Sequence, residues 1–245
     1  MNALRWVVIV VLAIAASARA QDSDSWRRAN DEFAAGRFAE AVELYQSIAR
    51  GGETSAALFY NLANAHYRAG QLGEAILNYE RALALDPRHP EAIANLRLVR
   101  DKARALELKR SAVDRLVGRG TPTQYSVAAA IGFWAFAFAL AALLLARRRS
   151  SSLVALAIVG FLMLSLSVAA LYSREQGPNG QSVAIVTAGS IEARLATAES
   201  AGTVLALPAG SEIKILSTRG GWSYAELPND LRGWIPANSA ERVRL

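Results

Sequence analysis

The 245-residue sequence predicts a multidomain chain: an all-α array of helical repeats, a two-helix transmembrane hairpin and a small all-β barrel. Three observations carry this reading. A 34-residue spacing recurs over residues 22–100, two apolar runs of 22 and 21 residues flank a loop of six, and residues 180–245 break into short alternating segments punctuated by Gly and Pro.

Residues 1–20 read as a secretory signal. Arg5 is the charged start, Trp6 to Ala16 is apolar, and Ala18-Arg19-Ala20 is a small-x-small cleavage site ahead of Gln21. The alternative is an uncleaved anchor, although the run is short for a membrane span. In either case the chain that follows is expected outside the cytoplasm.

The repeat stands on paired residues one period apart: Gly36 and Gly70, Glu40 and Glu74, Ala41 and Ala75, Tyr45 and Tyr79, Asn30 and Asn64. A period of 34 with two helical patterns per unit is the tetratricopeptide signature. Alanines such as Ala63 and Ala75 allow antiparallel helices to approach, while Leu62 and Tyr79 fill the space between helix pairs. Gly70 ends one helix, and Pro87 is expected to start the next. A third unit opens at Pro90, and its first helix is expected to run on to residue 117. That continuation reads as a capping helix or as a dimer seam. The repeat domain is set at 22–118, ending in this long C-terminal capping helix.

Residues 125–146 and 153–173 hold no Asp, Glu, Lys, Arg or His. At ~1.5 Å per residue each is long enough to cross the hydrocarbon core. The connection 147–152, Arg-Arg-Arg-Ser-Ser-Ser, forces a hairpin, and its three arginines are expected on the cytoplasmic side. The segments before and after would then share the opposite side. The spans read as an anchor, since no intramembrane ionisable group marks an ion or proton path.

Residues 180–245 are expected to form strands at 182–187, 191–196, 203–207, 212–216, 222–227 and 232–235. The run Gly220-Gly221-Trp222-x-Tyr224, followed by Gly233-Trp234-Ile235-Pro236, resembles the bacterial SH3-like barrel of five or six strands.

Net charge is +6, but it is concentrated in the signal and the arginine loop. Residues 21–124 carry fifteen Lys/Arg against fourteen Asp/Glu, and residues 173–245 carry seven of each, so no field suited to nucleic acid is expected. There is no cysteine, which removes disulfide, thiol and thiolate-metal chemistry. His66 reads as packing and His89 as a solvated turn residue. With no catalytic set, metal spacing or phosphate loop, the expectation is a non-enzymatic protein without metal or cofactor.

The candidate site is a groove lined by the first helix of each repeat. Asn30 and Asn64, and Asn61 and Asn95, are pairs one period apart, with Tyr60, Tyr67 and Arg68 on nearby turns. A carboxamide both donates and accepts, so it can hold an extended peptide backbone without reading side chains. Alternatively these asparagines satisfy groups between repeats. The family's clamp on a C-terminal carboxylate is not expected, because Trp26, Glu91 and Asn95 stand where it needs cations. Trp222, Tyr224 and Trp234 form either a ligand platform on the barrel or its core and rim.

The order signal, tetratricopeptide units, arginine-looped hairpin and SH3-like barrel resembles the BatE family of Bacteroides aerotolerance (Bat) operon proteins. That resemblance implies a scaffold in a cell-envelope complex at the bacterial inner membrane. Its partners would be von Willebrand factor A-type Bat proteins and, indirectly, a MoxR-type ATPase. A wall-binding module, with the barrel gripping peptidoglycan, is the alternative. An assembly factor for an exported redox protein is disfavoured by the missing cysteines and the domain order.

Overall fold

The computed structural model describes residues 24–145, 150–176 and 180–244. The expected signal and the arginines at 147–149 lie outside the described residues. The chain divides into two compact units: one runs up to Glu107 and resumes at Ala184, and the other is Leu108–Val183.

Among the described residues, the first unit has five helices before its sheet: α1 over residues 24–34, α2 (Phe38–Arg50), α3 (Ala56–Arg68), α4 (Leu72–Leu85) and α5 (Pro90–Ala103). The two glycines one period apart do the same work. Gly36 and Gly70 sit at φ 78° and 82°, in the left-handed region that ends α1 and α3. Ala41 and Ala75 are fully buried, as are Tyr45 and Tyr79 within 2%. Ser55 caps α3 by accepting from Leu58 N–H. His89 caps α5, accepting from Ala92 N–H, and Pro90 takes the first helical position. The cap role corrects the expectation that His89 is a solvated turn residue. Pro87 lies in the preceding turn and does not start a helix.

A single helix over 90–117 does not form. The helix α5 stops at Ala103, Arg104 turns left-handed at φ 51°, and a separate helix α6 (Ala112–Val117) begins behind a Ser111–Asp114 capping box. The cause is tertiary. Leu106 N–H donates to Ser211 Oγ at 3.1 Å, and Leu106 C=O accepts from Glu212 N–H at 2.8 Å. Its side chain also packs against the core of the sheet described next. Backbone bonds that a helix would have made internally are made to the sheet instead.

All six expected strands form, as β1 (Val183–Val186), β2 (Ile191–Arg194), β3 (Thr203–Leu207), β4 (Glu212–Arg219), β5 (Trp222–Glu226) and β6 (Arg232–Pro236). A seventh, β7 (Ala240–Arg242), pairs antiparallel with β1 and exceeds the five or six expected. The sheet order is β3-β2-β6-β5-β4-β1-β7. Its core gathers Ala184, Val186, Ala193, Leu207, Ile213, Ala225, Leu227 and Ile235.

Repeats and sheet pack together within this unit through α4. A Cβ on Gly73 would lie 2.7 Å from Val186 O and 3.0 Å from Thr187 O, so helix backbone meets strand backbone there. Ile76, fully buried, fills the space beside Gly210. Arg81 donates to Glu241 Oε1 and to Arg242 C=O.

The second unit holds α6, α7 (Pro122–Leu145) and α8 (Ser151–Gln176). The two long helices are antiparallel and touch backbone to backbone. A Cβ on Gly132 would meet Leu164 N at 2.7 Å and Gly160 O at 2.9 Å; one on Gly160 would meet Phe136 N at 2.6 Å. Small side chains face inward, with Ala139, Ser167 and Ala170 buried, while Ile131, Trp134, Phe138 and Leu144 are 56–77% exposed. Both helices are long and apolar enough to cross a membrane. Arg174 Nη1 donates to Gly120 C=O at 2.8 Å, and Tyr125 Oη–H to Val117 C=O at 3.0 Å, which fixes the turn after α6 to the ends of α7 and α8.

Candidate binding groove and aromatic strand face

The first helix of each repeat, α1, α3 and α5, contributes to a cavity of about 240 Å³. Phe33 comes from α1, Asn64, Tyr67 and Arg68 from α3, and Asn95, Leu98 and Val99 from α5; Tyr79 of α4 also lines it. Four of the seven expected groove residues therefore meet in one place.

The asparagines are tied into tyrosines by a bond that repeats with the sequence period. Tyr45 Oη–H donates to Asn30 Oδ1 at 2.7 Å, and Tyr79 Oη–H donates to Asn64 Oδ1. Burial pushes the Tyr45 phenol up to about 12 and raises that of Tyr79 further, so both remain protonated donors. Asn95 Nδ2 extends the network, donating to Asn64 Oδ1 at 3.2 Å and Tyr60 Oη at 3.4 Å. Tyr60 stacks on His89 with centroids 4.8 Å apart. Asn30 and Asn64 are thus bonded within their own repeats, and Asn64 is linked through Asn95 to the next repeat, in each case between side chains. Asn30 is exposed and lies outside the cavity. Asn61 is half-buried, also outside it, and its side chain makes no hydrogen bond among the described residues.

Two cations sit on aromatic rings at this site. The Arg68 guanidinium lies 4.6 Å from the Phe38 centroid, and Lys102 Nζ lies 4.8 Å from that of Tyr67. Phe33, Leu98 and Lys102 were not singled out from sequence. Leu98 follows Asn95 by three residues and Lys102 follows Leu98 by four, a helical spacing that places them on one face.

His66 is buried, its Nδ1 2.6 Å from Gln71 Oε1, with burial holding its pKa below the usual histidine value. It packs rather than lines the cavity. Among the described residues no three His, Cys, Asp or Glu side chains gather as a metal site would require.

On the sheet, Trp222 pairs with Pro236 and Tyr224 with Trp234 across β5 and β6. The Tyr224 and Trp234 centroids are 5.0 Å apart. Ser223, Ala225 and Ile235 point the other way and are buried. All three aromatic residues are half-exposed and none belongs to the core cluster, so they occupy the outer face of the sheet. Arg194 pairs with Trp234, and Arg219 with Trp222, at the flanks of this face.

The family model for the tetratricopeptide repeat matches residues 56–89, which span α3, α4 and the turn into α5. No curated protein matches the chain. The chain therefore contains a tetratricopeptide unit, a kind of repeat that generally mediates protein–protein interaction.

Proposed function

We propose that this chain is a membrane-anchored scaffold that holds a partner protein in its repeat groove and performs no catalysis. The observation that carries this is the cavity between α1, α3 and α5, where Asn64, Tyr67, Arg68 and Asn95 converge on one concave surface. Hydrogen bonds hold Asn64 and Asn95, and cation–ring contacts hold Arg68 and Tyr67, before a partner arrives, which lowers the ordering cost of binding.

The anchor is the hairpin of α7 and α8. Its large apolar side chains face outward and its small ones face the neighbouring helix, the arrangement suited to lipid surroundings. In water, such outward faces would form an apolar patch far beyond what a soluble surface carries. The residues before and after the hairpin belong to one compact unit, which supports an even number of crossings with both on the same side. The signal-like start and the three loop arginines favour the periplasmic side of a bacterial inner membrane. Domain order favours a BatE-like role in a Bat complex, with von Willebrand factor A-type partners and, through them, a MoxR-type ATPase.

The test is cross-linking in intact cells followed by detergent purification of the full chain. Wild type is expected to recover membrane partner proteins, and Arg68→Ala with Leu98→Ala, both exposed at the cavity, to lose them while melting normally. Undiminished recovery would remove the groove from the mechanism. A reporter fused after Leu245 tests sidedness; activity confined to the cytoplasm would overturn the topology.

The outward aromatic face of β5 and β6 favours a second reading, in which the sheet grips cell-wall material such as peptidoglycan. Binding of the full chain to purified wall, abolished by Trp222→Ser with Trp234→Ser, would support it.

A further inference from the structure

We infer that the groove takes an extended peptide whose side chains carry carboxylates. This rests on the groove reading above and specifies its occupant. Arg68 lines the cavity, and Lys102 lies on the ring of Tyr67, which also lines it. Both side chains are exposed, and among the described residues neither pairs with a carboxylate. Two other cations of the helical array are neutralised within it. Arg37 is paired with Glu32 and Arg100 with Glu80 and Glu107, while Glu91 lies beside His89. Asp31 and Asp101 are exposed and bond to neither cation.

A guanidinium seated on an aromatic face keeps its N–H edge directed away from the ring, and an ammonium on a ring keeps donors free. Two such groups, one on α3 and one on α5, sit at a cavity where Asn64 Nδ2 also has no hydrogen-bond partner among the described residues. Cationic donors at both helices with an amide between them match an anionic side chain next to a peptide backbone. An uncharged peptide would satisfy the amide and leave the cations unused.

The experiment measures fluorescence anisotropy with the full chain in detergent at low ionic strength. The probes are three short labelled peptides: alternating Ala and Glu, the same with Gln for Glu, and the same with Lys for Glu. The Glu peptide is expected to bind at least about fivefold more tightly than the Gln peptide, the scale of a partly exposed ion pair. Arg68→Gln with Lys102→Gln should erase that difference while binding of the Gln peptide persists, and added salt should erode it. Equal binding of the Glu and Gln peptides, or tighter binding of the Lys peptide, would overturn the inference and leave the groove standing. Failure of all three to bind would overturn it together with the groove reading.

Discussion

Arg81 on α4 and Glu241 on β7, 160 positions apart, meet at 2.5 Å. The same guanidinium donates to Arg242 C=O at 3.0 Å. Arg81 is 10% exposed in its side chain and Glu241 53%, so the two ends of this bridge are unequal. Removing the buried end strips a donor from the Arg242 carbonyl as well as from the carboxylate. Arg81→Met is expected to cost about 1–3 kcal/mol. Glu241→Gln, at the exposed end, should cost less than about 1 kcal/mol. Denaturant melts of the two variants would check the asymmetry; equal losses would contradict it.

Gly73 gives the opposite of what helix propensity suggests. Alanine in a helix interior is better than glycine by about 1 kcal/mol. Here the added methyl group would lie 2.7 Å from Val186 O, a strand carbonyl that cannot rotate aside. Overpacking of that kind costs about 1–3 kcal/mol, so the clash outweighs the propensity gain. Gly73→Ala is expected to lower the melting temperature, and a rise would show that α4 does not pack against β1 this closely.

What could be read from sequence followed from local or periodic constraints. The pairs Tyr45 and Tyr79, and Asn30 and Asn64, repeat at one spacing because each repeat builds the same Tyr–Asn bond. Strands β1 to β6 were visible from alternation and turn residues. The break after Ala103 was not, because it is set by the bond of Leu106 to Ser211, 105 residues after Leu106. Nor was the docking of α4 on the sheet: Gly73 in isolation reads as a weak helix residue, and only its strand neighbour explains it. The strand β7 is three residues long, too short for alternation to register. Within the groove, the polar residues stood out by their spacing, whereas Phe33 and Leu98 looked like any apolar position.

Acid acts on two groups near the Arg81 bridge in opposite directions. Burial lowers the pKa of His66, so the unfolded chain binds its proton first. Stability from this group is intact above the ordinary value near 6.5 and is lost as pH falls below it. Burial raises the pKa of Glu74, with Glu241 adding repulsion and Arg81 opposing it. Its charged form is the strained one in the folded state, so this group adds stability as pH falls through its raised value. Glu74→Gln should therefore melt higher than wild type at neutral pH, and the gain should vanish by about pH 4, below the unfolded carboxylate value. Melts from pH 8 to 4 would show this, and a gain independent of pH would refute it.

The contact of Gly132 with Gly160 leaves no room for a side chain on either helix. Gly132→Leu is expected to separate α7 from α8 and cost about 2 kcal/mol or more. Ile131→Leu, one residue away on the outward face and 56% exposed, should cost less than about 0.5 kcal/mol. Unfolding in mixed micelles with increasing dodecyl sulfate would rank the two. Equal sensitivity would mean that the hairpin is not held by its glycines.

Neighbouring residues of β6 carry opposite expectations. Ile235 is 1% exposed and belongs to the sheet core, whereas Trp234 is half-exposed on the outer face against Tyr224. Truncating the first opens a cavity, so Ile235→Ala should cost about 2–5 kcal/mol. Truncating the second removes one partly wet aromatic contact, so Trp234→Ala should cost about 1 kcal/mol. Size alone would predict the reverse order, since tryptophan is the larger side chain. If Trp234→Ala proves the more damaging, the aromatic pair supports the sheet itself, and the outer face loses its case as a surface kept for a ligand.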